Sequence, residues 1–87
     1  MSSNVLQEIM DIRAKKSQDY NGGSVQLTDY FPFGQISYTQ MIHVKYLRLR
    51  SLTEQEGIPN YEGLRDTLID LINYAVFNVE AIDKGEV

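Results

Sequence analysis

The sequence predicts an all-α fold, a three-helix antiparallel domain with an ordered loop between helices one and two. Three observations carry that prediction. Apolar residues recur at helical spacing over about residues 4–17, 35–53 and 60–82. Turn-forming residues interrupt the pattern, at Asn21-Gly22-Gly23 and again between Glu54 and Pro59. The one short stretch that has strand character, Val25 to Phe33, contains Pro32 and has no partner strand elsewhere in the chain.

In the first element, Val5, Leu6, Ile9, Met10 and Ile12 set the helical period, Ser3 or Asn4 is the candidate N-cap, and Gln7 stands where a capping box with Asn4 needs it. The predicted helix ends near Ser17 in Arg13, Lys15 and Lys16, cations suited to the negative end of a helix dipole. In the loop that follows, Thr28 or Asp29 can open a single helical turn, and Tyr30, Phe31 and Phe33 are expected to plug a small core. Helix two is apolar on two sides: Tyr38, Met41, Ile42, Leu49 and Leu52 share one sector, with Ile36, Val44 and Leu47 nearly opposite. Such a helix is buried by more than one neighbour, which points to a central position or a subunit interface. Helix three has Pro59 just outside, Asn60 as N-cap and Glu62 in its first turn. Its expected core face runs through Leu64, Leu68, Leu71, Ile72, Ala75, Val76 and Val79, leaving Glu62, Asp66, Asp70, Asn73 and Glu80 opposite or beside it. The short linker makes helices two and three antiparallel neighbours.

Length and composition narrow the function classes. A chain of 87 residues makes one domain that buries a modest share of its surface, so association with copies of itself would help it, and a homo-oligomer is expected. The chain lacks cysteine and has one histidine, which excludes disulfide frameworks and thiolate or His-rich zinc sites. No apolar run approaches the roughly 20 residues that span a bilayer, and the first residues lack a signal-peptide core. The expectation is a soluble, cytoplasmic protein with no membrane partner. Eight basic against 12 acidic residues give a formal charge of −4, which argues against an extended duplex-DNA surface. A small phosphorylated ligand needs only a few local cations, and these are present.

Lys45 lies on the apolar sector of helix two, and burying an unpaired ammonium is costly, so it must snorkel, pair with Asp66 or Asp70, or meet an anion. Arg48, one turn on, has the planar fork that suits phosphate. His43 extends the basic character of the helix, although a lone histidine is more often hydrogen-bonded structure than a catalyst. Glu62, Asp66 and Asp70 follow one another at i, i+4, i+8, with Asn73 three later. Carboxylates in this arrangement suit a hard cation such as Mg2+; from spacing alone they are more often the ordinary solvated face of an amphipathic helix. The stretch Lys16 to Gly23 joins a cation, the Asp19 carboxylate, the Tyr20 ring and two glycines, a set a nucleotide pocket can use, but without the spacing of a Walker loop or a dinucleotide fingerprint. No activated nucleophile can be argued.

Three segments, Lys16-Ser17-Gln18-Asp19-Tyr20, Lys45-Tyr46-Leu47-Arg48-Leu49 and Asp66-Thr67-Leu68-Ile69-Asp70-Leu71-Ile72-Asn73-Tyr74-Ala75, in that order resemble the nucleotide-modification-associated domains of small phage and prophage proteins. The resemblance covers about Lys15 to Ala81. It implies an all-helical fold and a link to phage nucleotide metabolism or DNA-base modification, and it singles out Lys16, Asp19, Tyr20, Lys45, Arg48, Asp66, Asp70 and Asn73. Helix three is also similar to the second metal-binding helix of MazG-like nucleoside triphosphate pyrophosphatases. The glutamate-rich helix those enzymes need is replaced here by one bearing His43, Lys45 and Arg48. The leading expectation is a protein without a resident cofactor that binds a nucleotide or nucleotide-derived small molecule, in the role of sequestering a host antiviral-defence signal. The alternatives are a Mg2+-dependent nucleotide pyrophosphatase or modification accessory using Glu62, Asp66 and Asp70, and a scaffold that binds only protein.

Overall fold

Between Asn4 and Tyr20 the chain holds no glycine or proline, and Ala14, Lys15, Lys16 and Gln18 are good helix formers. The first helix therefore outlasts its expected end at Ser17 and runs over Ser3–Tyr20 (α1). The structure, a computed structural model, describes residues 3–20 and 23–87; Asn21 and Gly22 of the expected turn lie outside the described residues. Lys16 to Tyr20 are thus helical, and the loop expected to hold them begins only after Tyr20. Gln7 donates to Asp11 at 2.9 Å instead of closing a capping box on Asn4.

Among the described residues no strand forms between α1 and the next helix. Leu27–Tyr30 is a single 3-10 turn, as expected near Thr28 and Asp29. The Asp29 carboxylate accepts from the Gln26 backbone N–H at 2.8 Å, which fixes the entry to the turn. Gly34 then takes φ +67°, a left-handed conformation that favours glycine, and releases the chain into α2 (Gln35–Glu54). The Ser37 hydroxyl accepts from the Phe33 N–H at 2.9 Å and ties the incoming chain to the first turn. Asn60 caps α3 (Tyr61–Asp83) as expected, its side-chain oxygen accepting from the Gly63 N–H at 2.9 Å.

The helices α2 and α3 run antiparallel. Gln35 and Asn78 exchange two amide hydrogen bonds of 2.7 and 2.8 Å at one end, and Lys45 reaches Asp70 further along. The other neighbour of α3 is α1, held by a two-pronged Arg65–Glu8 ion pair at 2.7 and 2.9 Å, by Lys16–Asp70, and by Arg13–Glu80. The central helix is therefore α3, packed by both others, and not α2. Ile36, Val44 and Leu47, the second apolar side of α2, are exposed.

The core gathers where the second half of α3 meets the start of α2. Phe31 stacks on Tyr38 with ring centres 4.0 Å apart and nearly parallel planes, and meets Tyr74 edge-on at 6.3 Å. Phe77 and Ala81 complete it. Tyr30 and Phe33 are exposed, so Phe31 alone of the expected three acts as the plug.

The largest departure from expectation is the facing of α3. Thr67, Ile69, Asn73, Tyr74, Phe77 and Asn78 are buried, whereas Leu68, Ile72 and Val79, from the expected core stripe, are exposed. The two large rings, Asp70 and Asn78 lie on one side of α3, and Arg65, held by Glu8, reaches α1 from the other. Packing that side satisfies Asn78 and Asp70 and buries Tyr74 and Phe77 together, and it turns the aliphatic side to solvent. No described helix is long and apolar enough to cross a membrane.

Candidate functional site

Asp70 sits part-way along the inward side of α3, where α1 and α2 both approach. Lys16 places its ammonium 3.6 Å from one carboxylate oxygen and Lys45 places its own 3.3 Å from the other. The three side chains are 26, 22 and 33 % exposed, so the cluster is partly shielded yet open to solvent. One carboxylate between two ammonium groups leaves a local surplus of positive charge. Asp70, and not Asp66, is thus the partner of Lys45.

One turn on from Asp70, the Tyr74 ring lies 5.7 Å from the Lys16 ammonium and 5.9 Å from that of Lys45, within cation–π range. Its hydroxyl shares a 2.8 Å hydrogen bond with the hydroxyl of Tyr20. Burial, then the Tyr20 hydrogen bond and charge, then the charge of Asp70 push the Tyr74 phenol far above its ordinary range. It stays a neutral hydrogen-bonding group at physiological pH. The Tyr20 ring tilts against Tyr30 at 4.7 Å and meets Phe77 edge-on at 6.4 Å.

Asn73 does not lie on a solvated stripe with the carboxylates. It is completely buried, and neither its amide nitrogen nor its amide oxygen has a partner within the described residues. Three residues past Asp70, it falls on the packed side because that whole side of α3 is turned inward.

The remaining expected site residues stand apart from this cluster. Asp19 is exposed and pairs with Lys15 at 3.6 Å. His43 is exposed, with its ring 6.3 Å from that of Tyr46. Arg48 is exposed one turn beyond Lys45, and Asp66 and Glu62 are exposed on α3. Among the described residues no three acidic or histidine side chains converge closely enough to hold a metal ion. Glu62, Asp66 and Asp70 succeed one another along one helix, and Asp70 is turned to the lysines.

A family model described as nucleotide modification associated domain 1 matches residues 16–81. The chain belongs to that family. The matched stretch opens on Lys16 and takes in Lys45, Asp70, Asn73 and Tyr74, so every member of the cluster falls within it. No curated protein and no solved structure matches the chain.

Two residues, Tyr74 inside the family-matched stretch and Arg13 just before it, escape a reading of the sequence alone. Tyr74 joins both lysines and Tyr20, and the signal that could have found it is its position four residues after Asp70 on the same helical face. Arg13, read as a helix-end cation, instead pairs with Glu80, lies over the Phe77 ring at 6.0 Å and leaves its buried Nε without a partner. With Gln26, Thr28 and Lys84 it borders a polar depression of about 300 Å3. Further hollows open along apolar faces of the helices, and the lysine cluster is a part-exposed charged surface.

Proposed function

We propose that this nucleotide modification associated domain binds a nucleotide or nucleotide-derived small molecule, with phosphate at Lys16 and Lys45 and the base or ribose near Tyr20 and Tyr74. The observation that supports this most is the convergence of both lysines on Asp70, beside a buried amide with no partner, inside the family-matched stretch. Charge-assisted contacts to phosphate are among the stronger hydrogen bonds available to a protein. Asp70 holds the two ammonium groups close together and limits their freedom, so less order has to be imposed when an anion arrives. Arg48, exposed one turn from Lys45, supplies a fork for a second phosphate oxygen. Asp19 and His43 stand outside this contact set. The use we propose for such a binder is sequestration of a nucleotide signal in host antiviral defence, a task that needs affinity and no turnover.

The test is isothermal titration calorimetry against a panel of mono-, di- and cyclic nucleotides, with the ligand recovered after denaturation. Binding that weakens by tenfold or more in Lys45→Met, with the helical circular dichroism kept, is the expected result. A panel that produces neither heat nor a thermal shift would overturn the reading, and recovery of altered nucleotide in the presence of Mg2+ would replace the binder with an enzyme.

A further inference from the structure

Beyond Arg65, which Glu8 of α1 already holds, the side of α3 that this chain leaves bare is patterned for another helix. Arg65, Leu68, Ile72, Ala75, Val79 and Ile82 are spaced alternately three and four residues apart, the average 3.5-residue period of a coiled-coil seam. From Leu68 to Ile82 the seam carries no charge, and Leu68, Ile72, Val79 and Ile82 are 47, 39, 56 and 55 % exposed. Asp70 and Phe77 lie on the opposite side of the helix, which the chain's own α1 and α2 cover. The second apolar side of α2 is a poorer seam, because Gln40 and His43 interrupt it between Ile36 and Leu47.

We propose that two copies of this chain pair through α3, antiparallel about a two-fold axis that passes between Ile72 and Ala75. Charge selects the orientation. In a parallel pair Asp83, which flanks the seam beside Ile82, would approach Asp83 of the second copy, an unfavourable meeting of like charges, whereas Arg65 is already paired with Glu8. Reversing one helix sets Leu68 against Val79 and Ile72 against Ala75, and brings Arg65 to Ile82 and Asp83 at the acidic end of the second copy. The same patch then meets itself, as a closed two-fold dimer requires.

The exposed parts of Leu68, Ile72, Val79, Ile82 and neighbouring Val5 together offer roughly 400 Å2 of apolar surface, about half of the ~800 Å2 per partner of a standard stable interface, the polar rim supplying the rest. The radius of gyration is 14.5 Å, against roughly 12 Å for a compact domain of this length, which fits half of a larger core. Because the lysine cluster lies on the other side of α3, pairing leaves both copies of it uncovered, and the dimer stands or falls independently of any ligand.

Sedimentation equilibrium tests the proposal. The intact chain is expected at twice its 10.0 kDa mass, and Ile72→Glu and Val79→Glu at the single-chain mass with helical circular dichroism retained, since both positions are on the surface of one chain. A monomeric intact chain overturns the proposal, as does a dimer that survives both substitutions. The absence of native cysteine allows a second measurement that does not depend on those variants. On mixing and oxidation, Leu68→Cys is expected to form a disulfide with Val79→Cys and neither with itself; self-linking of either variant overturns the antiparallel arrangement.

Discussion

A buried side-chain amide without a protein partner costs about 1–3 kcal/mol, and Asn73 is in that position among the described residues. Replacing Asn73→Leu removes the unpaired groups at similar volume, so the folded state is expected to gain about 1 kcal/mol or more, read as a higher midpoint in urea unfolding. A lowered midpoint would show that the amide has a partner in solution. Tyr74 gives a pH dependence. Its phenol keeps its proton in the folded chain well above the pH at which the unfolded chain, with an ordinary value of about 10, gives it up. The stabilisation is therefore complete below about pH 10 and is lost progressively as pH rises beyond it. Tyr38, raised by burial and by the charge of Glu86, acts in the same direction. The melting temperature is expected to fall above pH 10, less steeply in Tyr74→Phe than in the intact chain; equal slopes would contradict the assignment. At this scale the sequence is a partial guide. The burial of Lys45 beside a carboxylate can be read from its place on an apolar sector, but the fate of Asn73 cannot, because a helical wheel ranks faces by hydrophobicity and has no term for rings that must be buried next door.

The elements themselves are largely legible. Asn60 marks the start of α3 because its side chain meets a backbone N–H that the helix cannot satisfy internally, and Pro59 disfavours helical backbone at Ile58 before it. The end of α1 is less legible, since its expected stop rested on cations and polar residues that a helix tolerates, and the true breakers come later. The cap gives an additivity test. Asn60→Ala is expected to cost about 1 kcal/mol. Gly63→Ala, which in an open helix gains about as much, is expected to be nearly neutral, because the new methyl would stand 2.6 Å from the Asn60 amide nitrogen and push the cap aside. In the double variant that clash is gone, so Gly63→Ala should recover its full propensity gain. Chemical denaturation of the four proteins checks this, and simple additivity would show that the cap tolerates the methyl.

At the scale of the whole molecule, composition and spacing specify three helices and one all-α domain but not which helix is central. The apolar residues of α3 identify a surface that must leave water, and nothing in one sequence says whether the chain itself or a second copy covers it. If a second copy does, the melting temperature should rise with protein concentration by mass action, and Ile72→Glu should abolish that dependence in scanning calorimetry. Flat melting temperatures across the range would contradict the pairing. The Tyr20–Tyr74 phenol contact has one more consequence. The chain has six tyrosines and no tryptophan, so its near-ultraviolet emission comes from phenol rings alone, with no indole to drain their excitation. Two of those rings touch through their hydroxyls at the edge of the charged cluster. An anion that draws Lys16 and Lys45 away from Tyr74 changes the surroundings of that emitter, and the protein carries its own optical gauge of occupancy without a dye.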